Sequence, residues 1–176
     1  MQQKIVITGG PGTGKSTIIH QLMQMEFTCM PEISRMITRE AQKTGVDQLF
    51  LKDPLIFSEL LLNGRIQQFM EADQQKDSKV FFDRGLPDVH GYLDFIGTNY
   101  PSKFTEQSFK LRYSHVFMLP PWKEIYQNDN ERYETFEESL RIYEFLLDAY
   151  RMTNYQIVTV PEGSIDQRVN FILNSL

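Results

Sequence analysis

One stretch near the start of the chain constrains the fold more than any other. The run Lys4-Ile5-Val6-Ile7-Thr8 is apolar and β-branched, which predicts a buried strand. Residues 9–17 follow without a gap as Gly-Gly-Pro-Gly-Thr-Gly-Lys-Ser-Thr, which satisfies the pattern G-x-x-x-x-G-K-[ST] in full. Apolar side chains at helical spacing come next, at Ile18, Ile19, Leu22 and Met23. A strand, a glycine-rich loop and a helix in this order predict a phosphate-binding loop.

Each residue type in this loop has a physical role. The glycines permit positive φ, so that backbone N–H groups can close around phosphate oxygens. Lys15 places a cation on the β- and γ-phosphates, the Ser16 hydroxyl is a hard oxygen ligand for Mg²⁺, and the following helix directs its N-terminus at the same anion. We therefore predict ATP and Mg²⁺ as cofactors, with the nucleotide bound by Gly9, Gly10, Pro11, Gly12, Thr13, Gly14, Lys15, Ser16 and Thr17.

Length and composition narrow the class of protein. The 176 residues fit one domain, and no apolar run approaches the ~18 residues of a membrane span. The first strand begins almost at the first residue, which leaves no room for a signal peptide, and the single cysteine, Cys29, cannot form an internal disulfide. The net charge of −5 argues against a nucleic-acid partner. We expect a cytoplasmic protein with one domain over residues 1–176; nothing in the sequence indicates its oligomeric state.

Predicted strands and helices alternate along the whole chain. Further strands are predicted at residues 27–31, 79–82, 115–119 and 156–160. Helices are predicted after Glu32 as far as a break at 45–47, and then at 54–75, 88–96, 101–112, 135–154 and from Ser164 onward. This alternation predicts an α/β fold, a parallel sheet of five strands with helices on both faces.

Polar residues follow several of the predicted strands. Ligands of parallel sheets bind outside the carboxyl ends of the strands, so we expect the phosphate loop, Glu32, Asp83, Arg84 and the segment after Leu119 to meet at one edge. Asp83 is predicted to hold Mg²⁺ opposite Ser16; the alternative is an exposed carboxylate that caps a helix.

Arg84 and Glu32 are the candidate reaction residues. Arg84 stands where ATP-hydrolysing motors often carry glutamate, and a cation there suits a substrate phosphate or the transferring phosphoryl group. The alternative for Arg84 is a structural ion pair. Glu32 is placed to accept a proton from an attacking hydroxyl, or else simply complements a helix dipole.

The remaining candidates are arginines. Arg35 and Arg39 lie one turn apart on the predicted helix and are candidates for binding an anionic substrate, although a solvated helix face is an equal alternative. The polar segment 120–135 is a candidate lid over the nucleotide. Its Arg132 is predicted to stabilise charge in the transition state, unless it is an ordinary surface arginine. Arg141 is a weaker candidate, because it stands among glutamates with which it can pair.

With these residues in place, the chain resembles the P-loop kinases, the group that contains nucleoside and nucleoside-monophosphate kinases. It is most similar to small bacterial predicted ATPases grouped with ribosylnicotinamide-kinase-like domains. Their signature P-E-x-x-R is found over residues 31–35, and their F-x-D-R-G over residues 81–85. The resemblance implies a five-stranded parallel core, a substrate-binding helical insertion at 32–78 between strands two and three, and MgATP. The lid departs from the group, since Asn130-Glu131-Arg132 stands where G-x-R is usual.

Two functions fit the sequence. The first is a phosphotransferase that acts on a small nucleoside- or nucleotide-like acceptor, with Glu32, Arg35 and Arg84 on the acceptor side. The alternative is an ATPase or a nucleotide-gated regulatory protein without an acceptor. The guanine-reading sequence N-K-x-D and the transporter sequence L-S-G-G-Q are both absent from the chain, which disfavours a GTPase and a transporter ATPase.

Overall fold

The computed structural model describes residues 2–43, 45, 46, 48–126 and 134–176. Within them the chain alternates between strands and helices as predicted. The strands are β1 (Gln3–Gly9), β2 (Thr28–Met30), β3 (Lys79–Asp83), β4 (His115–Leu119) and β5 (Ile157–Thr159). The helices are α1 (Lys15–Gln24), α2 (Ser34–Lys43), α3 (Leu49–Lys52), α4 (Pro54–Ala72), α5 (Leu86–Phe95), α6 (Lys103–Lys110), α7 (Phe136–Met152) and α8 (Ile165–Asn174).

The five strands form one parallel sheet in the order β2-β3-β1-β4-β5. β1 is central, and its neighbours are in register with it, with Ile7 opposite Asp83 and Gly9 opposite Leu119. The carboxyl ends of β2, β3 and β1 are therefore adjacent, and the segments that follow these three strands begin side by side. The predicted common edge is confirmed.

Alternate residues along the strands supply two separate cores. On one face Ile5, Ile7 and Phe81 pack with residues of α1 and α8. On the other face Val6 and Phe82 pack with residues of α4 to α7. Helices thus cover both faces of the sheet, which confirms the three-layer α/β/α architecture.

Capping residues in the sequence marked several helix ends correctly. Thr135 caps α7 by accepting from Glu138 N at 3.2 Å, and Asn154 follows the helix with φ 59°, as its predicted role at the C-terminus requires. Several predicted boundaries were wrong. α4 ends at Ala72 rather than at residue 75, α5 begins at Leu86 rather than at residue 88, because Gly85 is its N-cap residue, and α6 is shorter at both ends than residues 101–112.

Three helices, α2 to α4, lie between β2 and β3. The predicted break near residues 45 and 46 separates α2 from the four-residue α3, which was not predicted. All residues of α2 are at least partly exposed, and its Met36 is 58% exposed, so this helix packs only loosely against its neighbours. No helix in the described part of the chain is long and apolar enough to cross a membrane.

His90 makes stability depend on pH. It is buried on α5, and neither ring nitrogen has a hydrogen-bond partner among the described residues. Burial lowers the pKa of its imidazole from 6.5 to about 4, although Asp94 and Asp88 oppose the shift. The unfolded chain therefore binds the proton more readily, and stability is lost as the pH falls from about 6.5 towards 4. At pH 5 we expect a loss of about 2 kcal/mol from this group.

Urea unfolding of the parent and of His90→Leu between pH 7 and pH 5 measures this effect. The variant should lose less free energy of unfolding over that range than the parent. His20→Leu is the matched control, because His20 is exposed on α1 and the substitution removes an imidazole from the surface rather than from the core. Equal pH slopes for the parent and His90→Leu would contradict the assignment.

Candidate nucleotide and acceptor site

The glycine-rich loop joins β1 to α1 in a conformation that few other residues adopt. Gly12 and Gly14 have φ values of 72° and 78°, in the left-handed region that glycine enters without steric cost. Thr13 Oγ1 donates to Gly10 O at 3.0 Å and closes the turn. α1 begins at Lys15, so the unpaired N–H groups of its first turn lie at the loop, and the Ser16 side chain is exposed there. This is the geometry of an anion-binding loop.

Residues from distant parts of the chain lie against this loop. The Tyr126 ring packs on Gly12 so closely that an added Cβ would clash with its Cδ2. From α8, Arg168 Nη2 donates to Thr13 O at 3.0 Å, and its guanidinium lies 5.9 Å from the Trp122 ring centroid. The first part of the candidate lid thus lies at the phosphate loop, Tyr126 directly against Gly12 and Trp122 beside Arg168. Sequence reasoning missed Arg168, whose position on α8 gave no signal.

Lys15 and Asp83 form a buried ion pair. Lys15 Nζ lies 2.8 Å from Asp83 Oδ1, and both side chains are more than nine-tenths buried. Burial and the nearby Arg84 lower the pKa of Lys15, while Asp83 and Glu32 oppose the shift. The pairing brings together the two residues that the sequence assigned to phosphate and to metal, from the start of α1 and the end of β3.

Glu32 lies between two arginines. Its Oε1 accepts from Ser34 N at 3.0 Å and its Oε2 from Ser34 Oγ at 2.5 Å, while Arg65 and Arg84 approach at 3.5 and 3.8 Å. Burial favours the neutral form, but Arg84, Arg65, Lys15 and the Ser34 hydrogen bond outweigh it and lower the pKa of Glu32 to about 2. The carboxylate is ionised at every physiological pH and can accept a hydrogen bond.

Arg65 was missed by sequence reasoning. It is buried on α4, and besides its approach to Glu32 it donates from Nη1 to Asp83 O at 3.2 Å. It therefore ties the ends of β2 and β3 together. A signal was present in the sequence, because Arg65 is a single arginine between Leu62 and Phe69 on the apolar stripe of a long helix.

Arg84 has an uncommon backbone conformation and several acidic neighbours. Its φ is 74°, and its side chain contacts Asp88 at 3.4 Å and lies over the Tyr92 ring at 5.2 Å from the centroid. Burial opposes ionisation, but Tyr92, Asp88, Glu32 and Asp83 together raise the pKa of the guanidinium. The ion pairs that were the alternative for Arg84 are present, and they hold it beside Glu32 at the predicted edge.

The other candidates have different surroundings. Arg35 and Arg39 are on the exposed side of α2, and Arg141 lies 5.5 Å from the Phe95 ring centroid. Arg132 lies outside the described residues.

The described chain holds no group of three or more His, Cys, Asp or Glu side chains that could bind a metal ion. Ser16 and Asp83 are hard oxygen donors and fit Mg²⁺, which takes few protein ligands beside phosphate and water.

The fold and this arrangement of residues define a P-loop kinase-like NTPase. Residues 4–168 match a protein-family model described as an AAA domain, and the chain belongs to this family. No protein of curated function matches the sequence.

Solved structures with the same fold include two kinds of protein. Deoxyadenosine kinase from M. mycoides, with the products dCMP and a flexible dCDP bound, has a TM-score of 0.71 and 17% identity, and each chain is covered to 98%. NadR protein in complex with NR has a TM-score of 0.73 and 17% identity over 99% of this chain and 50% of its own. NadR with NAD and AMP-PNP has a TM-score of 0.66 and 15% identity, with 99% and 48% coverage.

Proposed function

We propose that the protein is a kinase that transfers the γ-phosphoryl group of MgATP to a hydroxyl group of a nucleoside-like acceptor. The observation that carries this proposal is the position of Glu32 and Arg84 beside the buried pair of Lys15 and Asp83. An ionised carboxylate, next to a phosphate loop and flanked by arginines, suits the delivery of a hydroxyl to a phosphoryl group.

On the donor side, the backbone of residues 9–17 and Lys15 would bind the β- and γ-phosphates. Ser16 and Asp83 would hold Mg²⁺, which when bound neutralises charge on the phosphates. Asp83 is paired with Lys15 at 2.8 Å, and we expect Lys15 to turn from Asp83 towards the phosphates when the nucleotide binds.

On the acceptor side, Glu32 accepts a hydrogen bond from the acceptor hydroxyl and orients its oxygen. As the new O–P bond forms, the bond from the γ-phosphorus to the ADP oxygen breaks, and the hydroxyl proton passes to the Glu32 carboxylate. A carboxylate with a pKa of about 2 is a weak base. It suits a loose transition state, in which the hydroxyl proton is lost late.

Charge at the site favours a neutral acceptor over a phosphorylated one. Arg65 and Arg84 both contact Glu32, and each also has a further acceptor, at Asp83 O and Asp88 respectively. A monophosphate acceptor would need additional cations, for which Arg35 is the exposed candidate on α2. The names of the structural neighbours, a deoxyadenosine kinase and NadR bound to NR, also support a nucleoside-like acceptor.

The family description as an AAA domain favours a second candidate, hydrolysis of ATP without an acceptor. One assay separates the two candidates. ADP formation from MgATP is measured alone and with a panel of ribonucleosides, deoxyribonucleosides, nicotinamide riboside and the matching monophosphates, and products are identified by mass. We expect ADP formation that depends on a nucleoside and yields one phosphorylated product per ADP. ADP formation that no acceptor changes would contradict the kinase and favour the ATPase.

A further inference from the structure

Asp88 is a buried carboxylate to which the proposed reaction gives no role. It is 1% exposed on the first turn of α5, one turn beyond Arg84. Its Oδ1 accepts from Thr8 Oγ1 and from Arg84 Nη1, the latter at 3.4 Å. Its Oδ2 accepts from Gly85 N at 2.8 Å and from the Tyr150 hydroxyl at 2.6 Å. Two donors on each oxygen fill the hydrogen-bonding capacity of a carboxylate.

These contacts hold both the backbone and the side chain of one turn. Arg84 has φ 74°, a strained conformation for a non-glycine residue that persists only where its surroundings impose it. Arg84 N donates to Ile7 O at 3.0 Å, and Asp88 binds the next N–H, that of Gly85. Because Asp88 also binds the guanidinium, it holds both the backbone beside Arg84 and the far end of the Arg84 side chain.

Tyr150 brings a distant helix into the same cluster. It is buried on α7, and burial together with Asp88 raises the pKa of its phenol, so it remains a donor. Only glycine fits beside the Tyr150 hydroxyl at position 85. A Cβ added to Gly85 would lie 2.7 Å from the Tyr150 hydroxyl oxygen and 3.0 Å from Tyr113 Cε2. Thr8 ties the cluster to the strand that precedes the phosphate loop. The carboxylate thus joins β1, the turn after β3 and α7.

We propose that Asp88 is a positioning residue for Arg84, and that Tyr150 and Thr8 hold Asp88 in place for this task. Arg84 is shared between Asp88 and Glu32, whose Oε2 lies 3.8 Å from Arg84 Nε. Without a fixed Asp88, Arg84 moves closer to Glu32 and pairs more tightly with the carboxylate that the acceptor hydroxyl needs. The catalytic consequence rests on the proposed kinase function; the positioning itself does not.

Tyr150→Phe tests the positioning directly, because it removes one hydroxyl and keeps the buried ring. The probe is the Nε–H signal of Arg84 in an ¹⁵N–¹H spectrum, assigned by its loss in Arg84→Lys. We expect this signal to shift and broaden in Tyr150→Phe. Tyr100→Phe is the matched control, since Tyr100 donates to Asp94 of the same helix at 2.9 Å, away from Arg84, and should leave the signal unchanged. An unchanged signal in Tyr150→Phe would overturn the proposal.

A double-mutant cycle of Tyr150→Phe and Arg84→Ala tests the consequence for phosphoryl transfer. Tyr150→Phe should lower kcat for transfer about 10–100-fold with little change in the KM for ATP, since small misplacements of a reacting group cost rates of this order. In an Arg84→Ala background the same change should have no further effect. A purely structural role would lower transfer equally in both backgrounds and would overturn the proposal. A parent protein that transfers to no acceptor would refute the kinase function, and the spectrum would still decide the positioning.

Discussion

Lys15→Ala is expected to lower acceptor-dependent turnover of MgATP by at least about 10²–10³-fold and to weaken nucleotide binding. The magnitude is that of losing one preorganised group that stabilises developing charge. Lys15 is the cation at the start of α1 beside the glycine-rich turn, and among the described residues only this lysine pairs with Asp83. Turnover is measured with saturating acceptor, and affinity by titration with a non-hydrolysable ATP analogue.

The same substitution is expected to destabilise the fold. Removing one partner of a buried ion pair leaves the other charge uncompensated, at a cost of about 3–5 kcal/mol. The double variant Lys15→Ala, Asp83→Asn should recover much of this free energy and none of the nucleotide affinity. Lys4→Ala is the matched control, because Lys4 is another buried lysine that pairs with an aspartate. It lies on β1 at the end far from the phosphate loop, and its Nζ is 2.7 Å from Asp73 Oδ1. It should bind ATP normally. A Lys15→Ala protein with the ATP affinity and turnover of the parent would refute the assignment of the loop.

The parts of this site that follow from local sequence were predictable. The phosphate loop is one contiguous stretch whose glycines, lysine and serine each have a local reason for their position. Glu32 and Asp83 follow apolar runs that end strands, and the rule for parallel sheets places such residues at one edge. No order of strands was needed for that prediction, because every carboxyl end lies on the same side of the sheet.

The contacts of Arg65 and Asp88 depend instead on the order of the strands and the packing of helices. Arg65 meets Glu32 only because β2 lies beside β3 and α4 packs across their ends. Asp88 meets Tyr150 across a sequence separation of 62 residues, through the packing of α5 on α7. A polar residue on the buried stripe of a helix was the available signal in both cases. It indicates that a partner exists and does not identify the partner.

Arg84→Ala and Glu32→Gln are expected to abolish most phosphoryl transfer while ATP affinity stays within a few-fold of the parent. Neither residue contacts the loop backbone in the described structure, so the β-phosphate keeps its ligands. A positioned base contributes about 10²–10⁴-fold in rate. An arginine that stabilises the transferring group contributes about 10³–10⁵-fold.

The two variants have matched controls on the protein surface. Arg151→Ala removes an exposed arginine of α7 that pairs with Asp148 at 3.4 Å, and Glu40→Gln removes an exposed acid of α2 that pairs with Lys43 at 2.6 Å. Both should transfer at the rate of the parent, which separates the loss of a charge from the loss of a reaction residue. Arg84→Lys keeps the charge without the planar fork, and should recover only part of the rate.

The outcome decides between a kinase and an ATPase. In a kinase, Glu32→Gln lowers transfer and leaves any slow hydrolysis of ATP in the absence of acceptor almost unchanged, because Glu32 acts on the acceptor hydroxyl. The amide that this substitution introduces cannot take the hydroxyl proton, while its oxygen can still accept from Ser34 N and its nitrogen can donate to Ser34 Oγ, so the expected loss is in kcat. A parent that transfers to no nucleoside or monophosphate, with a Glu32→Gln variant that hydrolyses ATP at the parent's rate, would refute both the acceptor and the role of Glu32.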